Sequence, residues 1–221
     1  MKKTAEPSLR LQQGLQALGL SASLEAPLQA YLHELAKWNA SYNLTAVRDP
    51  AQMVTRHLLD SLALLPALDG LPIARLLDVG SGAGLPGIPL ALARPHWRVA
   101  VLDSNGKKAR FLRHAVRTLA LRNVEVIEAR VEAHQPDRLY DAICARAFSA
   151  LGEFCSLTEP LLAERGHWLA MKGRLDDNEL AALPPFVCVP RAVRLDVPGL
   201  YEERHLVIAS RSAPSASGLP T

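Results

Sequence analysis

At 221 residues the chain can form one substantial domain, or a domain with a small cap, and 49% hydrophobic content agrees with a sizeable core. A net charge of +3 and a pI near 8.9 admit a nucleic-acid partner without requiring one. The cysteines Cys144, Cys155 and Cys188 show neither Cys-x-x-Cys nor Cys/His metal spacing, which excludes a zinc module or disulfide scaffold and reads as reduced thiols of a cytoplasmic protein.

Residues 1–7 read as a loose arm, with none of the apolar run a signal peptide needs. Leu62 to Leu68 is far too short to span a membrane. Leu11, Leu15 and Leu18 make one helical face over Ser8–Leu18, and Gly19 is its stop. A second stripe runs through Leu24, Leu28, Tyr31, Leu32, Leu35 and Trp38, with Pro27 in its first turn. Asp49-Pro50-Ala51-Gln52 reads as a capping box before a third helix through Val54, Leu58, Ser61, Leu62 and Leu65. Residues 1–70 are therefore expected to be a helical cap, ended by the loop around Asp69-Gly70.

From residue 75 the pattern becomes strand–helix alternation. Strands are expected at Arg75–Val79, Arg98–Asp103, Val124–Glu128, Tyr140–Ala145 and Gly166–Lys172, with helices near 86–94, 107–121 and 150–163 and a shorter one near 131–137. That is an α/β domain, 71–211, with a mostly parallel sheet. Val187–Val197 and Arg204–Ser210 are joined by a loop too short for a crossover, so they should form an antiparallel hairpin. The small-residue end, 212–221, reads as a disordered tail.

The chemistry centres on Asp78-Val79-Gly80-Ser81-Gly82-Ala83-Gly84-Leu85-Pro86-Gly87, an apolar strand entering four glycines. Gly82 to Gly87 matches the dinucleotide pattern G-x-G-x-x-G, and Asp103 stands where a ribose-binding acid belongs, so NAD is one reading. Gly80, Gly82 and Gly84 also make G-x-G-x-G behind Asp78, the S-adenosylmethionine pattern, and the terminal hairpin is unlike a dehydrogenase half. In that reading Asp78 holds the cofactor's ammonium, directly or through water, and Asp103 accepts from the ribose diol. The plain alternative for Asp103 is a helix N-cap.

Arg130, Arg146 and Lys172 each follow a strand's C-terminal end, where open α/β sheets bind ligands. Three cations around one crevice repel, so an anionic partner is expected between them, or separate pairing with acids such as Glu132 and Asp141. Phe148 could stack on a base or pack under its loop. Lys107, Lys108, Arg110, Arg113 and Arg117 make a basic helix face, read equally as a solvated surface or a phosphate track. Cys144 sits in an apolar strand, no Ser/His/Asp order or metal cluster is evident, and no Pro-Pro-aromatic follows the fourth strand. A site without base or nucleophile suits an acceptor with a free lone pair, such as guanine N7.

Trp38-Asn39, Tyr42-Asn43-Leu44-Thr45-Ala46, Arg56-His57 and Asp60-Ser61-Leu62, followed by Asp78 to Leu90, resemble the RsmG (GidB) family of bacterial methyltransferases. Asp103-Ser104, Lys107-Lys108, Phe111-Leu112, Arg130-Val131-Glu132, Arg146-Ala147-Phe148, Lys172-Gly173 and Arg204-His205 continue the resemblance over roughly residues 31–210. It implies a Rossmann-like class I S-adenosylmethionine-dependent methyltransferase with a helical N-terminal cap, acting on a guanine N7 in the 530 loop of 16S rRNA in the 30S subunit. It implies S-adenosylmethionine at Gly80 and Leu85, around Val131-Glu132 and at Arg146, and an active site lined by Arg130, Arg146 and Arg204. The protein is expected to act as a monomer without metal or membrane. His33, His57 and Asp60 either touch RNA or fix the cap.

Overall fold

The computed structural model describes residues 2–146, 150–188 and 191–212. The helices α1 (Lys2–Ala17) and α2 (Glu25–Tyr42) come first, then a short α3 (Pro50–Met53). A π-helical segment, Val54–Leu59, runs directly into α4 (Asp60–Leu62), and α5 (Leu65–Leu68) closes the helical region. Strands and helices then alternate: β1 (Arg75–Val79), α6 (Gly87–Ala93), β2 (Arg98–Leu102), α7 (Gly106–Thr118), β3 (Val124–Ile127), β4 (Tyr140–Arg146), α8 (Leu151–Thr158), β5 (Leu162–Lys172), α9 (Asp177–Ala181), β6 (Arg191–Arg194) and β7 (His205–Ser210).

Among the described residues the strands form one seven-stranded sheet in the order β3-β2-β1-β4-β5-β7-β6. β1 to β5 are parallel, and β7 lies antiparallel to both β5 and β6. The central strands β1 and β4 are covered on both faces, which is why they are mostly apolar, with Asp78 as the buried exception in β1. On one face α8 brings Phe154 and Cys155 against Leu77, Ala100, Ile143 and Trp168. The buried Trp168 indole donates to Thr158 Oγ1 at 2.9 Å.

On the other face α6 and α7 are joined by the N-terminal helices in a single apolar core, in which Leu11, Leu28, Leu35 and Leu58 belong with Leu76, Val101, Phe111 and Leu206. α1 approaches the π-helical segment so closely that a Cβ at Gly14 would run into Leu59. Tyr31 of α2 is fully buried and donates to the Ala83 carbonyl at 2.5 Å, tying the helical region to the glycine loop.

Several boundaries differ from the sequence reading for physical reasons. Residues 2–7, expected as an arm, continue α1; Pro7 forfeits one backbone hydrogen bond without ending the helix. The third helix is π-wound at Val54–Leu59, a one-residue widening that side-chain periodicity does not register. The segment near 131–137 is only a 3-10 turn, Val131–Ala133. The last helical turn before β5 is 3-10 (Glu159–Leu161), and β5 begins at Leu162, ahead of a register shift against β4 between the Tyr140–Leu162 and Ala142–His167 pairs. Within the expected strand Val187–Val197, the described residues form a regular strand at Arg191–Arg194 and Val187 makes an isolated bridge to Arg211; α9 carried no periodic signal. Residues 213–221 of the expected tail, and Phe148, lie outside the described residues. Among the described residues no helix is long and apolar enough to cross a membrane, and no cluster of His, Cys, Asp or Glu could hold a metal ion.

Candidate active site

The glycine loop leaves the C-terminal end of β1 with Gly80, Gly82 and Gly84 at φ of +66°, +61° and +90°. L side chains are strained in that left-handed region, which explains glycine at these places. The glycines do not all serve one purpose. A Cβ at Gly80 would meet nothing within 4 Å, and one at Gly82 only the Gly80 carbonyl at 3.8 Å, so both present bare backbone to open space. A Cβ at Gly84 would strike Ile88 at 2.5 Å and Leu112 at 3.0 Å, so that glycine serves packing. Leu85 is buried beside it in the core.

Asp78 lies at the penultimate position of β1 and is completely buried. Its Oδ2 accepts from the Gly87 N–H at 2.9 Å, at the start of α6, and from the Ser81 hydroxyl at 2.5 Å. The Cys144 thiol approaches Oδ1 at 3.7 Å. Burial pushes the Asp78 carboxyl up to about 6, although these bonds and the charge of Arg146 oppose the rise. Asp78 therefore holds both ends of the glycine loop, and any action on a ligand's ammonium passes through a group already engaged by the fold.

Asp103 follows β2, next to the loop. Its Oδ2 accepts from the Gly82 N–H at 2.9 Å and its Oδ1 from the Asn105 N–H at 2.8 Å, while Lys108 Nζ stands 3.6 Å away. It is not the helix cap: Asn105 caps α7, its Oδ1 accepting from the N–H groups of Lys107 and Lys108. A carboxylate has about four acceptor positions, so Asp103 retains capacity for hydroxyls. One strand further out, Val131 is buried, and Glu132 and Arg130 are exposed at the turn after β3.

Arg146, Lys172 and Arg204 come together at the same edge, at the ends of β4 and β5 and just before β7, where Lys172 pairs with His205. Arg130 is at that edge too, but β2 and β1 separate its strand from β4. Of the acids expected opposite these cations, Asp141 is at the other end of the sheet, where it accepts from the Ala74 and Arg75 N–H groups, and Glu132 stays exposed beside Arg130. The actual partner is Asp60, delivered by the π-helical segment. It is 3% exposed and binds Arg204 Nε through Oδ1 at 3.1 Å, with Arg146 Nη1 3.8 Å from Oδ2. Arg146 also donates to the Arg56 carbonyl at 3.3 Å. Glu202, in the β6–β7 loop, receives Arg56 at 2.5 Å and Arg204 at 3.1 Å. Lys172 donates to Glu179 Oε1 at 2.7 Å, and the same oxygen accepts from the Leu151 N–H.

Arg146, Lys172 and Arg204 thus have internal counterions: of the two readings of the sequence, an anionic ligand between them or pairing with acids, the structure shows pairing for these three, with acids other than those expected. Three guanidiniums, Arg56, Arg146 and Arg204, share two carboxylates, Asp60 and Glu202, and one positive charge is left over. Burial raises Asp60 while the two arginines lower it. His57 is buried and held down at about 4, chiefly by desolvation, and its Nε2 pairs with Thr45 Oγ1 at 2.9 Å. A neutral histidine pinned in this way fixes the 43–47 loop, which Asn39 also binds through the Thr45 N–H. His33 is exposed on α2. Sequence reasoning missed Glu202, Tyr31 and Asn105. Only Asn105 left a local trace, an Asn two residues before the basic helical run that begins at Lys107.

The chain matches the family model of GidB, rRNA small subunit methyltransferase G, over residues 24–207. It is 53% identical over 199 residues to the ribosomal RNA small subunit methyltransferase G of Laribacter hongkongensis, covering 89% of this chain and 95% of that one. With the protein of the same name from Neisseria meningitidis (strain Z2491) it shares 50% over 204 residues, covering 91% and 97%. In fold it is similar to an O-methyltransferase from Bacillus cereus solved with SAH (TM-score 0.57, 18% identity, 83% of this chain and 91% of that one). It is also similar to TrmN from Thermus thermophilus (TM-score 0.55, 21% identity, 72% and 53%). With the β3-β2-β1-β4-β5-β7-β6 sheet these likenesses establish a class I methyltransferase fold, and the chain belongs to the GidB family of small-subunit rRNA methyltransferases.

Proposed function

We propose that this chain transfers a methyl group from S-adenosylmethionine to N7 of a guanine in the 530 loop of 16S rRNA, acting as a cytoplasmic monomer. The observation that carries the reading is the bare backbone of Gly80 and Gly82, open to space beside Asp103, in a chain of this family. Gly80, Gly82, Leu85, Asp103, Val131, Glu132 and Arg146 would hold the methyl donor, with Asp78 acting through the loop it organises and Gly84, first expected among these, serving instead to pack that loop. Arg130, Arg146, Lys172 and Arg204 would line the acceptor side, under a cap formed by residues 1–70.

When bound, S-adenosylmethionine supplies a methyl already activated on a sulfonium, which passes to the N7 lone pair and leaves a neutral thioether. N7 carries no proton near neutral pH, so the protein needs no general base. The site is consistent with that: Cys144 is fully buried and its thiol is held far up by burial, and His57 is locked in the fold. The residues then contribute alignment, worth roughly 7–11 kcal/mol where the attack geometry is good. The purine ring becomes cationic, so the arginines serve by holding phosphate or the donor's carboxylate, away from the reacting ring.

The direct test maps N7-methylguanine in 16S rRNA from cells with and without this protein. The mark should disappear without it and return with the wild-type chain; label appearing only on protein or small molecules would defeat the assignment. Gly80→Ala should cost about 1–2 kcal/mol of stability through left-handed strain. Gly19→Ala, at an almost identical φ of +67°, should cost the same. Only Gly80→Ala should also weaken S-adenosylhomocysteine binding by calorimetry; equal affinities would remove Gly80 from the donor site.

Asp60→Ala leaves Arg146 and Arg204 without their shared carboxylate. Methyl transfer should fall at least tenfold, with the larger effect on kcat, and Asp60→Asn should recover part of it. A variant that unfolds earlier but turns over normally would restrict Asp60 to the fold. Asp78 supplies a pH test. Its folded value near 6 exceeds an unfolded value near 3.9, so the folded chain binds the proton more tightly and this group's contribution to stability falls as pH rises between the two. The difference in unfolding free energy between wild type and Asp78→Asn should fall by roughly 3 kcal/mol across that window. Parallel curves would contradict it.

A further inference from the structure

The basic face of α7 has no part in the site described above. α7 contains no acid, and its inner face buries Ala109, Phe111, Leu112 and Ala115. Lys107, Arg110, Arg113 and Arg117, spaced by three, three and four, form one exposed stripe about 15 Å long. Arg113 pairs with Glu128 at 2.8 Å, and Lys108, off the stripe, with Asp103. Among the described residues Lys107, Arg110 and Arg117 have no carboxylate partner. Like charges on successive turns repel, and among the described residues only Arg113 of this stripe, through Glu128, has a carboxylate partner, although Glu34 lies beside it on His114 at 2.6 Å. The stripe starts at the crevice, because the helix that carries it begins beside Asp103 and Gly82.

An aromatic ledge lies alongside. Trp38 packs on His114 of α7 with ring centroids 4.9 Å apart, and Tyr42 lies on Trp38 at 5.2 Å. Tyr42 is 45% exposed, one of few large apolar side chains left open to solvent. Cations in a row beside an open aromatic ring suit a chain that alternates phosphates and unpaired bases. An acidic peptide would use the cations and leave the ring idle, and a membrane would require more than one ring to insert.

We infer that the outer face of α7 and the Tyr42 ring form a docking surface for single-stranded rRNA beside the target nucleotide. Phosphates lie along Lys107, Arg110 and Arg117, and a base stacks on Tyr42. The inference rests on the rRNA methyltransferase reading and adds where the RNA leaves the methyl-transfer site. The test is filter binding of transcribed 16S rRNA to the full chain over a salt series, with S-adenosylhomocysteine calorimetry on every variant.

Arg110→Ala/Arg117→Ala should lower affinity on the order of tenfold near 0.1 M salt and flatten the log–log salt slope by about 1.4, or roughly 0.7 per lost phosphate contact. Tyr42→Ala should weaken binding without changing the slope, and Tyr42→Trp should restore it. Arg98→Ala/Arg122→Ala removes two exposed cations from the opposite end of the sheet and should change neither quantity. Donor affinity should stay level throughout. An unchanged slope in Arg110→Ala/Arg117→Ala, an equal loss in the Arg98→Ala/Arg122→Ala control, or polyglutamate competing as well as poly(U) would overturn the docking surface while wild-type rRNA binding still supported the methyltransferase reading. Wild-type protein that binds S-adenosylhomocysteine but not rRNA would overturn both.

Discussion

The buried carboxylate of Asp78 is the interaction on which the site depends. An ionised group removed from water is costly unless its lone pairs are met by donors. Asp78 meets the Gly87 N–H, the Ser81 hydroxyl and, weakly, the Cys144 thiol. The first of these sets where α6 begins and the second sets the path of the loop, so one side chain defines both ends of the turn. Gly87 is part of the same contact, since a Cβ there would lie 2.7 Å from Asp78 Oδ2. With the loop held from below, Gly80 and Gly82 turn their backbone to open space, and Asp103 anchors the Gly82 N–H from the neighbouring strand.

The helical region completes this arrangement from above. It shares the apolar core of the sheet, and two of its polar side chains reach the sheet's C-terminal edge. Tyr31 holds the Ala83 carbonyl, and Asp60 lies between Arg146 and Arg204. Buried ion pairs are weak contributors to net stability, but removing one member leaves charges unmatched and is strongly unfavourable. Asp60 therefore sets where the two arginines sit more than it sets how stable the chain is. The π-helical winding of Val54–Leu59 places it: its extra residue per turn shifts the register just before Asp60, and Asp60 N–H bonds back to Thr55.

Much of the fold was legible because its signals are local. The glycine loop, the strand–helix alternation, the Asp49 cap with Pro50 and the closing hairpin each follow from short-range sterics or period. The candidate cations were legible in part, since a position just past a strand end can be read from sequence. Their counterions were not. Asp60 lies 86 residues from Arg146 by numbering, and Glu202 serves Arg56 across a separation of 146 residues. Gly80, Gly82 and Gly84 looked equivalent in the sequence, yet Gly84 packs against Ile88 and Leu112 while Gly80 faces space.

What the amino-acid sequence determined without help was the order of elements, the left-handed turn and the presence of acids at the ends of the first two strands, because backbone sterics and side-chain period act within a few residues. What the tertiary structure decided was what those groups do: Asp78 as the clasp of the loop, Asn105 in place of Asp103 as a helix cap, and Asp60 as the shared partner of Arg146 and Arg204. Burial and partner choice depend on which distant segments the core brings together. A carboxylate's charge state and role follow from those neighbours, and they have no signature in its own stretch of chain.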